Sequence, residues 1–337
     1  MRTHTSDAGF SLPEMLIAMT VMMLIAGAAT TALLKLSATQ ATIWNRTQMH
    51  SGIRGATEVL QQEVGQAGRV TLPAAVTLTS AVGVAGIASP TVSSASGIFV
   101  GEKLVIDAGC SDTATPCASR QEVVTVTACT SAANAGCTSG GGETMTAAFA
   151  NPHASGTSVQ ALGGFHAGII PEATINGSTS SVLKLFGDVN GDGNMVYIEY
   201  SISPACICTA TCNPASMTGN LYRNSMAWNA ASKSAAAASQ ILLGNITANP
   251  NGTKCFTYQP TTAVNGNIYV TDVAITLTVQ TQILDPTTRV FQKETKALLN
   301  VSPRNVFNTW QLASLGYSDR VQNTPAPVTA LLAGTGF

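Results

Sequence analysis

The sequence predicts an α+β protein: a long N-terminal α-helix packed on an antiparallel β-sheet head, with an inserted small β-rich module. Three observations carry this expectation. From Met15 to Leu34 no residue is charged. Beyond that run, Ile53, Ala56, Leu60, Val64 and Ala67 recur at steps of three and four. After residue 70 the chain turns to short stretches of Val, Ile and Thr broken by Gly, Asn and Asp, the pattern of strands and turns.

The uncharged run is long enough to cross a bilayer as a helix, which takes ~20 apolar residues at 1.5 Å rise each. In the second half, Arg54, Glu58, Gln61, Gln62 and Glu63 fall between the apolar positions, giving one apolar stripe on a polar helix. Leu36, Ile43 and Met49 bridge the halves, so one helix is expected from about Ser11 to Gly65. Gly52 and Gly55 weaken it by ~1 kcal/mol each relative to Ala. A single carboxylate, Glu14, stands near the start of the apolar run. A charge inside a membrane segment costs at least ~2.5 kcal/mol on insertion scales, so it needs a partner.

Ahead of the helix, a short polar leader ends at Gly9 and Phe10-Ser11-Leu12-Pro13-Glu14 follows. This arrangement resembles the class III signal of type IV prepilins. The resemblance implies cleavage between Gly9 and Phe10 by a prepilin peptidase and N-methylation of Phe10. It implies an assembly role for Glu14, which would neutralise the N-terminal amine of a neighbouring subunit. The physics agrees: a buried carboxylate and a buried ammonium are each costly alone and tolerable as a pair. A secretory signal would carry a basic leader and a cleavage site after its apolar stretch. Here the leader has only Arg2 against Asp7, and the polar-to-apolar junction precedes the run.

Residues 1–9 are thus read as leader and 10–69 as helix, with a membrane or filament-core half (10–34) and an amphipathic half (35–69). Residues 70–163 read as the β-rich insert, with strands over 98–106 and 122–127 and His153–Val159 closing it. It weakly resembles a β-barrel-like module of surface and phage structural proteins. His153 is read as a capping or packing residue. The head, 164–322, shows strands over 181–186, 195–202, 220–223, 255–258 and 270–283. The D-x-N-G-D-G turn before Ile198-Glu199-Tyr200, then Leu221-Tyr222-Arg223, Phe256-Thr257-Tyr258 and a late Pro303-Arg304-Asn305 look like minor pilins of PilW or GspJ type. The helix exit, Leu60 to Arg69, fits them too. The tail, 323–337, with Pro325 and Pro327, is expected to be flexible.

Asp188, Asn190, Asp192 and Gly193 with Glu199 satisfy the calcium-loop pattern D-x-[DN]-x-[DN]-G-x5-E. Glu199 lies on a strand, ~17 Å along it from Asn194, too far to close a helical-type cage. The candidate calcium ligands are therefore Asp188, Asn190, Asp192 and Asn194. A hairpin turn in which Asn-Gly and Asp-Gly supply positive φ explains the same residues, and both readings stand. Eight cysteines in an exported chain imply disulfides. Cys110 with Cys117 and Cys129 with Cys137 are expected to pair locally. Of Cys206 and Cys208, one is expected with Cys212 and the other with Cys255. A thiolate zinc cluster would more often use C-x2-C spacing.

Charged residues make up only 10% of the chain, the net charge is −1 and no basic patch accumulates, so nothing points to nucleic acid. No hydrolase, Walker or dinucleotide fingerprint is present, and His4, His50, His153 and His166 form no catalytic pattern, so enzyme activity is not expected. The resemblance implies a minor type IV pilin whose partners are other major and minor pilins, the prepilin peptidase and an inner-membrane assembly platform. It implies residence in the bacterial inner membrane, N-terminus cytoplasmic, then in the pilus or at the cell surface. The chain's size favours a priming or tip role. Two alternatives stand beside it: a type II secretion pseudopilin, and a surface adhesin using the insert.

Overall fold

Nothing between Met15 and Gln66 breaks a helix strongly enough to stop it, and α1 (Leu12–Gln66) runs 55 residues, about 80 Å at 1.5 Å per residue. Ser11 opens it: its carbonyl accepts the N–H of Glu14 and Met15 at 3.0 and 3.1 Å. Pro13 falls in the first turn, where its missing N–H has no partner to lose. Along the uncharged half, Thr20, Thr30 and Thr31 return their hydroxyls to the carbonyls of Ile17, Ala26 and Gly27, so these polar groups are satisfied within the helix, as lipid requires.

The computed structural model describes residues 11–108, 120–132, 136–213, 216–233, 240–260 and 263–334. The chain divides into two compact units, 1–51 with 280–293 and 52–279 with 294–337. In the first, the loop 281–292 folds back as a hairpin: Thr281 N–H donates to Gln292 O and Asp285 N–H to Val290 O. Gln292 meets Arg46 of α1, and Thr42 donates to Asp285. The hairpin therefore descends α1 toward its N-terminal half.

The described residues form two seven-stranded sheets and a two-stranded one. The insert forms β1 (Val76–Thr77), β2 (Gly86–Ala88), β3 (Lys103–Ile106), β4 (Glu122–Ser131), β5 (Thr138–Ser139), β6 (Thr144–Phe149) and β7 (Ser158–Ala161), ordered β1-β7-β3-β4-β6-β2 with β5 beside β4. After β8 (Gly164–Phe165) come the head strands β9 (Val182–Gly187), β10 (Val196–Ser203), β11 (Gly219–Ala227), β12 (Ile241–Thr247), β13 (Phe256–Pro260), β14 (Val270–Gln280) and β15 (Lys293–Val301). Their order is β13-β14-β12-β11-β10-β9, with β15 also on β14. The chain closes with α2 (Arg304–Ser314), β16 (Val321–Gln322), parallel to β8, and α3 (Ala326–Ala333).

Alternation explains the sheets: β4 and β6 bury every second residue over most of their length. Val76, Leu78, Leu104, Ile106, Val124, Val126, Met145 and Val159 make the insert's own core. The stripe on α1 is the one the sequence predicts; Ile53, Ala56, Leu60, Val64 and Ala67 are all buried, each of the larger ones worth ~1.5–3 kcal/mol. Where α1 ends, backbones meet closely. A Cβ on Gly168 would lie 2.3 Å from Gly68 Cα, so only glycine fits there.

The structure departs from the sequence expectations in several places. The strand expected over 98–106 begins only at Lys103, because Ile98 and Glu102 close successive turns onto Ala95 O and Phe99 O. The tail expected to be flexible over 323–337 contains α3, whose Val328, Leu331 and Leu332 are buried with Phe165 and Trp228. Pro325 and Pro327 sit at the start of that helix, where proline is tolerated. Pro303-Arg304-Asn305, given no secondary structure by the sequence reading, opens α2, and Asn305 Nδ2 donates to the carbonyls of Gln66, the last residue of α1, and Ala67 at 3.0 and 3.5 Å. Glu63, read as a residue of the polar face, is buried.

Candidate functional site

Gly9 and Phe10, the expected processing site, lie outside the described residues, as do Cys110 and Cys117. Glu14 is described: it sits in the first turn of α1, with Ser11 Oγ at 3.5 Å from its carboxylate. It heads an open face continued by Ile17, Ala18, Val21 and Met22. One charged group thus leads an exposed apolar stripe. The membrane-length window of α1 has none of its residues buried in the fold.

The far end of α1 is held by a second carboxylate. Glu63 takes Arg223 Nε at 3.0 and 3.2 Å on its two oxygens and also meets Arg223 Nη2 and the Tyr200 hydroxyl. Tyr200 lies on β10 and Arg223 directly opposite it on β11, so the helix is latched to the middle of the head sheet. Burial pushes the Tyr200 hydroxyl well up, and the Glu63 charge adds to that. Burial alone would lower Arg223, but its hydrogen bonds to Glu63 and their mutual attraction leave it raised. The guanidinium stays charged and the phenol stays protonated as a donor.

The Asp188 loop is a turn held by its own acid. Asp188 Oδ1 accepts the N–H of Gly191 and Asp192 at 2.8 and 3.1 Å, and Oδ2 that of Gly193 at 3.3 Å. Arg69 Nε approaches Oδ2 at 3.6 Å. Asp188 is fully buried, while Asn190, Asp192 and Asn194 are exposed. Asp192 Oδ1 accepts Asn194 N–H. Glu199 is elsewhere, facing Lys184 at 3.3 Å, Lys233 at 2.7 Å and the Tyr197 hydroxyl. Among the described residues no three His, Cys, Asp or Glu converge as for a metal. Asp188 thus organises the backbone of the turn and faces Arg69, which is what the hairpin reading expects of it, while Asn190, Asp192 and Asn194 stand exposed around it.

Disulfides join Cys129 to Cys137, Cys206 to Cys212 and Cys208 to Cys255. The last spans 47 residues and ties the segment after β10 to the start of β13. His153 packs edge-on against Phe149, with Nε2 at 2.6 Å from Glu122.

The insert is bound to the head by contacts its sequence does not announce. Phe99 leaves the insert to stack on Phe165 and, edge-on, Trp228, with centroids 5.9 and 5.6 Å away. Gln322 mimics a missing strand: Oε1 accepts Lys103 N–H, and Nε2 donates to Lys103 O and Leu162 O. Between them lies Glu102, fully buried, with Oε2 accepting Phe99 N–H and, among the described residues, no hydrogen bond on Oε1. Burial drives its carboxyl well above the ordinary range; the Phe99 N–H opposes that only in part. No sequence signal marks Glu102 or Gln322, since both depend on a long-range meeting.

The chain thus combines an exposed apolar helix headed by a carboxylate with a disulfide-bonded antiparallel head. Residues 5–30 match the prokaryotic N-terminal methylation motif. That match supports a type IV pilin-like protein processed by prepilin peptidase, and the helix with antiparallel sheets is consistent with an α+β pilin-like fold. No curated protein and no solved structure matches the chain.

Proposed function

We propose that this chain is a minor type IV pilin that primes filament growth or sits near the filament tip. It acts by assembly and not by turnover. The observation that carries the reading is the pairing of the methylation motif at 5–30 with a helix whose apolar, membrane-length window is unburied among the described residues. In this reading the peptidase cuts at Gly9-Phe10, and the apolar half moves from lipid to a filament core. There Glu14 takes the N-terminal amine of another subunit. The PilW-like features of the head support a minor over a major role, and the Asn305 contact to the end of α1 gives the Pro303-Arg304-Asn305 stretch a structural purpose.

Deletion of the gene tests this. Loss or sharp reduction of surface filaments, restored by the full chain, is the expected result. Unchanged filaments with failed protein secretion would replace the reading with a type II secretion pseudopilin. A protein whose mature N-terminus is not Phe10 would remove both.

A further inference from the structure

We propose that the hairpin between β14 and β15 is a foot that rests on an anionic lipid surface, setting how deep α1 sits before assembly. The proposal rests on the membrane-anchored reading of α1 and adds a second point of contact to it. Between Glu14 and Arg46, Lys35 is the only charged residue. That stretch is about 46 Å long at 1.5 Å per residue, matching the ~40–45 Å of a bilayer with its headgroups. The outer headgroup layer is then level with Ile43, Trp44 and Arg46. Trp44 is 72% exposed, and tryptophan is the side chain favoured at that depth.

The hairpin arrives at the same level. Gln292 meets Arg46, and Asp285 meets Thr42 one turn nearer the membrane half, so the tip points toward it. Its apolar side chains face outward: Ile283 is 61% exposed and Val290 57%, with Leu284 and Phe291 exposed beside them. Asp285 is tied into the tip by the N–H groups of Thr287 and Thr288.

Charge decides the occupant. Residues 35–51 and 280–293 carry Lys35, Arg46, Arg289 and Lys293 against Asp285 alone, in a chain whose net charge is −1. Four cations around exposed apolar groups fit phosphate headgroups over acyl chains, where each basic residue adds attraction. A neighbouring helix would cover one side of the rod. Here Thr42 and Asn45 face inward while Ile43 and Trp44 are exposed, so apolar groups lie on more than the hairpin side. A surface that surrounds the helix accounts for both.

The test uses the full chain alone in nanodiscs of equal phosphatidylcholine and phosphatidylglycerol, with photoreactive benzoylphenylalanine replacing Phe291. Irradiation is expected to give lipid adducts by mass spectrometry, while the same label at exposed Ile175 gives none. Replacing Arg289→Gln and Lys293→Gln should lower the yield about fivefold for each cation removed, with an unchanged melting temperature. Pure phosphatidylcholine should act likewise. Adducts only to another protein chain would reassign the surface to subunit packing. No lipid adduct, or a yield indifferent to these charges, would overturn the proposal. Cleavage at Gly9-Phe10 is read separately on the same protein, so failure of the pilin reading stays distinguishable.

Discussion

Glu14 and Glu63 lie on one helix among apolar neighbours, and among the described residues only Glu63 has a cation partner. Glu63 is buried and held by Arg223 and Tyr200. Among the described residues the Glu14 carboxylate has the Ser11 hydroxyl near it, and it is exposed at the head of the apolar stripe. A carboxylate in an apolar setting needs a positive partner. The distal half of α1 meets that need by folding. The proximal half leaves it open, which is what a subunit requires if the missing partner is to come from its neighbour. In the proposed pilin reading, the contrast separates a residue that holds the protein together from one kept for assembly.

The largest expected effect comes from breaking the internal pair. Glu63→Ala leaves Arg223 partly buried and uncompensated, and should destabilise the head by about 3 kcal/mol. A urea melt of the purified protein would show it. The double substitution Glu63→Leu with Arg223→Met should recover most of that loss, because no charge is then stranded. Equal destabilisation by the single and double variants would show that packing, not charge pairing, is what Glu63 supplies.

Glu102 gives a smaller effect of opposite sign. It resembles Glu63 in burial and Glu14 in having no cation partner among the described residues, so it is accommodated as the neutral acid. Its folded pKa lies above the unfolded value near 4.5. The protonated fold is therefore favoured below pH ~4.5, and stability is lost as pH rises from there toward the folded pKa. Glu102→Gln keeps the shape and removes the ionisation. Its melting temperature should exceed the parent's at pH 7, by on the order of 1–2 kcal/mol in stability, and the two should converge near pH 4. A gain independent of pH would mean that burial of the charged form is not the cost.

The residues that could be read from sequence are those whose neighbours are local. The stripe from Ile53 to Ala67, the long uncharged run and the alternating strands follow from periodicity, which one segment contains entire. The Cys129–Cys137 and Cys206–Cys212 pairs are close in sequence. Glu63 is harder: it adjoins Val64 and follows Leu60 by three, which puts it at the edge of the buried face, but its latch needs Arg223 from β11. The contacts of Gln322 and Asn305 are not legible in sequence, since each reads a backbone more than a hundred residues earlier in the chain. At the Asp188 loop the pattern is local, but which donors its carboxylate takes, the N–H groups of Gly191, Asp192 and Gly193 and the Arg69 guanidinium, is decided by the fold.

The smallest effect on stability is expected at Glu14, and that makes it the sharpest test of the contrast. Its side chain has no ion-pair partner among the described residues and lies at the exposed start of α1. Glu14→Ala should therefore change unfolding of the head by no more than about 0.5 kcal/mol, as surface substitutions usually do. Incorporation into filaments should nevertheless fall sharply, read by immunoblotting sheared filaments against the membrane fraction. Glu14→Asp, which keeps the charge on a shorter arm, should restore part of it. A variant that assembles normally would mean that the charge at the head of the apolar stripe is not what recruits a neighbour. A variant that unfolds would mean that Glu14, like Glu63, has its partner inside the chain.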